Sequence, residues 1–303
     1  MRVSKNFFKF NGKPDILPEN IDIIRNEVFP LTFFLERKTI PAGSRIIISD
    51  VDKTYLNTDF ESLKGLLWIP FEVAVDKVTL PYMDIIYQGL RFGTKKSPAF
   101  TPLFFVTASP PSLFTPLRNK MGSDGVQEDG IVMKDQKELA LRGDFRQIKE
   151  QFIYKLFALF VFFNKIGGNH KVILLGDDTE TDLKSYLLFK KIVEGDMPFV
   201  KISQLLIDNG IKGKYLEELL RFLRHKPLKL KIEYIFINLT KNEILPQGSY
   251  PPVVQYNDTK QLATFLYEKR LINDYYYNKI FKGNNEDISF SYEWLYDYGY
   301  LKK

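Results

Sequence analysis

Along the chain, short β-branched apolar runs alternate with longer amphipathic stretches. Arg45-Ile46-Ile47-Ile48-Ser49 is short, β-branched and turns polar abruptly, the pattern of a strand buried on both faces. The same pattern predicts strands over residues 103–106, 130–133 and 172–175. A fifth follows from the alternation of Leu228, Leu230, Ile232, Tyr234 and Phe236. Helices are expected over 82–92, set between Pro81 and Gly93, and over 146–163, 183–193 and 259–271. Two more are expected within 201–224, split near Asn209-Gly210. Strands alternating with helices predict an α/β fold, a doubly wound parallel sheet of about five strands. Residues 1–44 read as a lead-in with one short strand at 31–35, and 45–272 as the domain. Residues 194–228 read as a helical insertion before the last core strand. Residues 273–303 form a tail with seven of the 17 tyrosines and Trp294, read first as a packed strap and otherwise as a contact for a membrane interface.

Composition narrows the chemistry. The 303 residues contain 26 Phe, 17 Tyr and two Trp, far too many aromatics for a disordered chain. There is no cysteine, which excludes a thiolate nucleophile, disulfides and Cys-based metal sites, and only His170 and His225 supply imidazole. Carboxylates, hydroxyls and lysines must therefore carry any reaction, with a hard metal ion as an option. The longest apolar run, eight residues at 156–163, falls short of the roughly 20 of a membrane span. The first thirteen residues lack the apolar core of a secretory signal. No transmembrane segment is expected, and a cytoplasmic location, with attachment at a membrane surface as an option, is the expectation. The net charge of +6 partly clusters at Arg221, Arg224, Lys226, Lys229 and Lys231. That cluster reads either as a solvated helix end and edge strand or as a contact for anionic lipid.

Asp50 and Asp52 follow the first predicted strand directly, at the edge where α/β sheets build their sites. Two carboxylates held close drive their proton affinities apart, which suits one to attack and the other to acid–base work. Taken alone, Asp-x-Asp after a strand is also a common turn or helix cap. Three further pieces favour a site: Thr107 ends the second strand, Lys155 begins the helix before the fourth, and Gly176-Asp177-Asp178 through Asp182 ends the fourth. Acid pair, hydroxyl, lysine and acid cluster, each at a strand end or helix start, suit phosphoryl transfer.

These residues resemble the haloacid dehalogenase superfamily of phosphatases, with Asp50-x-Asp52-x-Thr54, Thr107, Lys155 and Gly176-Asp177-x-x-x-x-Asp182 as its four motifs. More narrowly, the chain is similar to the phosphatidate phosphatase catalytic domain of the actin-patch type and its bacterial relatives. Ile48-Ser49-Asp50-Val51-Asp52-Lys53-Thr54, Phe105-Val106-Thr107-Ala108-Ser109-Pro110 and Ile131-Val132-Met133-Lys134-Asp135 carry that likeness, as does the stretch 261–272. Lys53 stands where the group has an acid, and Pro111 where it has Trp.

The resemblance implies that Asp50 attacks phosphorus to form an aspartyl-phosphate, while Asp52 protonates the leaving oxygen and then activates water. It implies Mg²⁺ held by Asp50, the Asp52 carbonyl and Asp177, with Asp182 as anchor or further ligand and Asp178 a weaker candidate. Thr107 and Lys155 would stabilise the transferred group; the bland alternative for Lys155 is a helix lysine reaching back to solvent. Enzymes of this type often carry a cap, but the stretches at 55–81 and 134–151 leave room for little or none. An open site admits a bulky phosphorylated substrate, with a phospholipid at a membrane surface foremost and nucleic acid not expected. The alternatives are a soluble or macromolecular phosphomonoester, or a non-catalytic scaffold that binds phospholipid or protein.

Overall fold

Ile46 and Ile48 join the packed core on one side of the sheet and Ile47 the core on the other, and all three are buried. A strand apolar on both faces needs a helical layer on each. The computed structural model, which describes residues 9–10, 13–14, 20–26, 28–57, 78–93, 100–146, 150–167, 169–179, 181–195, 197–225, 230–240, 253–282, 292–293, 295–297 and 299, supplies both layers.

The main sheet contains β1 (Ile21–Asn26), β2 (Leu31–Glu36), β3 (Arg45–Ser49) and β4 (Leu103–Thr107). It continues with β5 (Gly130–Lys134), β6 (His170–Asp177), β7 (Leu230–Asn238) and β8 (Val253–Tyr256). The strand order is β8-β7-β6-β3-β4-β5-β2-β1. The six strands from β8 to β5 run parallel, and β2 lies antiparallel to both β5 and β1. The helices are α1 (Met83–Phe92), α2 (Phe114–Ser123), α3 (Gln136–Leu141), α4 (Phe152–Ile166) and α5 (Asp182–Glu194). They continue with α6 (Phe199–Asp208), α7 (Gly213–His225), α8 (Thr259–Glu268) and α9 (Asp274–Phe281). Side chains of α3 to α7 fill the core on the Ile46 face, and those of α1, α2, α8 and α9 fill it on the Ile47 face.

The fold is α/β with a largely parallel sheet, but the sheet has eight strands rather than about five. All five expected strands are present at its centre. β8 escaped notice because four residues carry too little periodicity. β1 escaped because Asp22 and Arg25 interrupt its apolar positions at the sheet edge, where one face is only half covered. Its return to β2 is fixed by Asn26, whose side-chain oxygen accepts from the Val28 and Phe29 amides. The expected lead-in thus contributes two strands. The stretch 194–228 does hold two helices, α6 and α7, but β7 after it is not the last strand, because β8 pairs beyond it. α9, in the aromatic tail, packs against α1 and α8, whereas Trp294 lies outside the described residues.

α4 carries Lys155 in its first turn. Every residue from Phe152 to Phe163 is buried, so α4 is apolar all round and sits between β-sheet and outer helices. Phe157, Phe160 and Phe163 pack against Phe29, Tyr215 and Phe189. No helix among the described residues is long and apolar enough to cross a membrane.

Candidate active site at the carboxyl edge of the sheet

From β3 the chain proceeds to β4 and β5 on one side, and β6, β7 and β8 lie on the other. The connections leaving β3 and β6 therefore diverge, which opens a crevice beyond their carboxyl ends. Asp50 follows the last residue of β3, and its amide donates to the Leu175 carbonyl at 2.9 Å. Asp177 ends β6, two residues beyond Leu175, which pairs in register with Ser49. Thr107 ends β4, two residues beyond Phe105, which pairs with Ser49 from the other side. Parallel register thus carries Asp50, Thr107 and Asp177 to one edge within about 7 Å along the strand direction.

Oxygens of Asp50, Asp177 and Asp182 lie within 4.8 Å of one another, and all three residues are buried. Lys155, from the first turn of α4, is also buried; its Nζ lies 3.4 Å from Asp50 Oδ1 and forms an ion pair with Asp182 Oδ1. The other Asp182 oxygen accepts the Asp177 amide at 3.1 Å. Both Asp182 oxygens are therefore engaged, and it acts as the clamp that fixes Lys155 to the end of β6. Gly176 makes this possible: a Cβ there would stand 2.5 Å from Asp182 Oδ2. Asp177 is oriented in turn by Thr179, whose amide (2.6 Å) and hydroxyl both donate to its Oδ1.

Three carboxylates around one ammonium leave an excess of buried negative charge, which is costly unless a further cation joins them. The donors are all hard oxygens, the set that suits a small divalent ion. This cluster can hold a metal ion.

Asp52 is buried next to the cluster, but its carboxylate is not among the three converging groups. Its chain segment turns sharply: Lys53 adopts a left-handed φ of 57°, and Lys53 N donates to Leu56 O at 2.8 Å. Asn238, at the end of β7, reaches across to hold this turn, donating from Nδ2 to the Lys53 carbonyl at 2.8 Å. Thr54 is fully buried, consistent with a supporting place. Thr107 Oγ1 accepts the Ser109 amide at 3.1 Å, which turns the chain directly after β4. Asp178 stands apart from the cluster. It accepts from Thr240 N and Oγ1 at 2.9 and 2.7 Å, and so staples β6 to the end of β7.

Several residues that support the site are not singled out by the sequence. The Tyr154 hydroxyl donates to the Thr107 carbonyl and approaches Val132 O at 3.3 Å, tying β4 and β5 to the turn of α4 that carries Lys155. The Tyr186 hydroxyl donates to Leu175 O at 2.9 Å, and Tyr87 meets Ser49 Oγ at 2.5 Å beneath Asp50. Burial pushes both phenols well above their ordinary range, assisted for Tyr186 by the Asp182 carboxylate, so both remain protonated. Only Asp177-x-Thr179 carries a readable signal, that of a side chain capping its own turn. Replacing Tyr154 with Phe leaves a buried Thr107 carbonyl short of a donor. A loss of about 1–2 kcal/mol is expected in denaturant unfolding, and an unchanged midpoint would contradict this role.

Two clefts of about 750 Å³ open elsewhere. One is lined by Lys38, Ile40, Phe100 and Phe104, the other by His170, Lys190 and Leu230. Both lie toward the amino ends of the strands, away from the carboxylates. Neither cleft is lined by Asp50, Lys155, Asp177 or Asp182.

A family model, "Phosphatidate phosphatase APP1, catalytic domain", matches residues 45–203. The chain belongs to this family. The matched stretch starts with β3 and runs through Asp50, Asp52, Thr107, Lys155, Asp177 and Asp182 into α6, so it contains the whole carboxylate–lysine cluster. The hairpin β1–β2, the helix α7 and the strands β7 and β8 lie outside the match. No curated protein and no solved structure matches the chain.

Proposed function

We propose that this chain is a Mg²⁺-dependent phosphomonoester hydrolase of the haloacid dehalogenase type, with phosphatidate as its substrate and Asp50 as its nucleophile. The observation that carries the proposal is the convergence of Asp50, Asp177 and Asp182 around Lys155, inside the stretch that matches the phosphatidate phosphatase family.

In the first half-reaction an Asp50 carboxylate oxygen forms a bond to phosphorus and the bond from phosphorus to the leaving oxygen breaks. Asp52, two residues beyond Asp50, gives that oxygen its proton, and the diacylglycerol alcohol departs. In the second, Asp52 takes a proton from water as the water oxygen bonds to phosphorus. The Asp50–phosphorus bond then breaks and inorganic phosphate leaves. Lys155, held by Asp182, and Thr107 face the phosphoryl oxygens and stabilise their charge. Asp50, the Asp52 carbonyl and Asp177 would hold the Mg²⁺, with Asp182 fixing Lys155 beside it. When bound, the ion neutralises charge on the phosphoryl oxygens and on the carboxylates themselves.

Two measurements test this. In a phosphate-release screen over phosphatidate, nucleotide, sugar phosphate and phosphopeptide, phosphatidate is expected to be turned over fastest. Faster release from a soluble ester would support the alternative phosphatase reading, and no release from any would favour a scaffold. Chelation is expected to reduce activity to background and Mg²⁺ to restore it. Because the ion binds only the folded cluster, Mg²⁺ should also raise the Tm of the wild type and not of Asp177→Asn. Activity undiminished by chelation would contradict the metal.

A further inference from the structure

Among the described residues, large apolar side chains left in water are few, and two of them lie close together: Leu141 is 75% exposed and Phe145 is 65% exposed. Leu141 ends α3 and Phe145 lies in the helical residues just after the following turn, a segment tied at both ends to the candidate active site. At one end, Gln136 Nε2 donates to the Ala108 carbonyl at 2.9 Å, next to Thr107. At the other, the chain enters α4 and Lys155, and Lys134 at the end of β5 donates to the Glu150 carbonyl at 2.9 Å. The segment is held firmly from beneath, since Leu139 is fully buried and Asp144 accepts from Lys214 Nζ (2.7 Å) and the Tyr215 hydroxyl (3.0 Å) of α7. Leu141 and Phe145 are thus presented outward on a fixed support at the rim of the site.

The exposed charges beside them that have no ion-pair partner are mostly basic. Lys137, Arg146 and Lys212 are exposed and have no acidic partner among the described residues. Arg142 and Lys214 are paired with Glu138 and Asp144, so those two acids beside the patch are already matched by a base. Exposed apolar side chains ringed by lysine and arginine are the composition of a surface that inserts shallowly among anionic headgroups.

We propose that Leu141 and Phe145, with Lys137, Arg146 and Lys212, form a docking surface for an anionic lipid bilayer that brings the mouth of the site to the membrane. The proposal deepens the phosphatidate reading and rests on it for its purpose, but not for its test. It also relocates the membrane contact. The basic residues Arg221, Arg224 and Lys231 lie where α7 ends and β7 begins, at the amino edge of the sheet, and Arg221 is paired with Glu218. A bilayer bound there would face away from Asp50.

The test uses vesicles of phosphatidylcholine with phosphatidylserine, an anionic diester that offers the site no phosphomonoester. Wild type is expected to sediment with them. The double variant Leu141→Ser/Phe145→Ser should bind at least about tenfold more weakly, because its side chains no longer leave water. Phosphate release from vesicle phosphatidate should fall by the same factor, while release from a soluble phosphomonoester stays unchanged. Both residues are exposed, so the fold should persist. As a second route, Lys137→Glu/Arg146→Glu should weaken binding at low salt and lose the difference at high salt. Wild-type protein that ignores the vesicles, or a double variant that binds them undiminished, overturns the proposal; the latter would point instead to a protein partner on this face. Binding lost in the variant with no phosphatidate hydrolysis by either protein would uphold the docking surface and overturn the phosphatidate reading.

Discussion

Asp50→Asn is expected to lower phosphate release by at least about 10⁴-fold while leaving the protein folded. The amide keeps the shape of the carboxylate but cannot supply the anionic oxygen that attacks phosphorus. Stability should move the other way. Asp50 shares a buried volume with Asp177 and Asp182, and Lys155 is paired most closely with Asp182. Removing one negative charge from that group relieves repulsion without orphaning the ammonium. Without added metal, the Tm of Asp50→Asn should therefore equal or exceed that of the wild type. Full activity in this variant would remove Asp50 from the mechanism. A large fall in Tm would show that its charge is needed for folding rather than for reaction.

Gly176→Ala should be the most damaging change that alters no functional group. The added methyl would stand 2.5 Å from Asp182 Oδ2 and 2.6 Å from Asp182 Cβ, and both distances are well inside contact. Asp182 cannot yield freely, because one oxygen holds Lys155 and the other holds the Asp177 amide. Either the first turn of α5 moves outward or the end of β6 moves, and each displaces a charged member of the site. Overpacking of this kind costs roughly 1–3 kcal/mol, and misplacing a reacting group by about an ångström costs about 100-fold in rate. Both losses are expected together, in thermal unfolding and in kcat. A variant with wild-type kcat would show that Asp182 does not set the position of Lys155.

The sequence was most legible where chemistry and periodicity coincide. Asp50, Thr107, Lys155 and Asp177 were readable because each stands at a strand end or helix start, and parallel register brings such ends together. The central strands were equally plain, since Ile46-Ile47-Ile48 has no polar residue to place on either face. β1 and β8 were hidden for the opposite reason: an edge strand tolerates Asp22 and Arg25, and four residues hold barely two periods. The supports of the site were hidden too. Tyr154, Tyr186 and Asn238 act by single hydrogen bonds to carbonyls remote in the chain, and a tyrosine in an apolar helix looks like core until its hydroxyl is located. Asp182 shows how far the reading went. Its place in the cluster was visible from spacing, but its service to Lys155 required the geometry. The surface at Leu141 and Phe145 had no signal at all, because exposure is a property of packing and not of composition.

The central claim is that phosphorus is transferred to Asp50. It is tested most directly by acid-quenching a reaction with phosphatidate in Mg²⁺ during turnover and mapping the covalently bound phosphoryl group by peptide mass spectrometry. The expected result is a hydroxylamine-sensitive acyl phosphate on the peptide containing Asp50, absent from Asp50→Asn. Efficient phosphate release with no phosphorylated peptide at any quench time, or with the phosphoryl group on another residue, would contradict it.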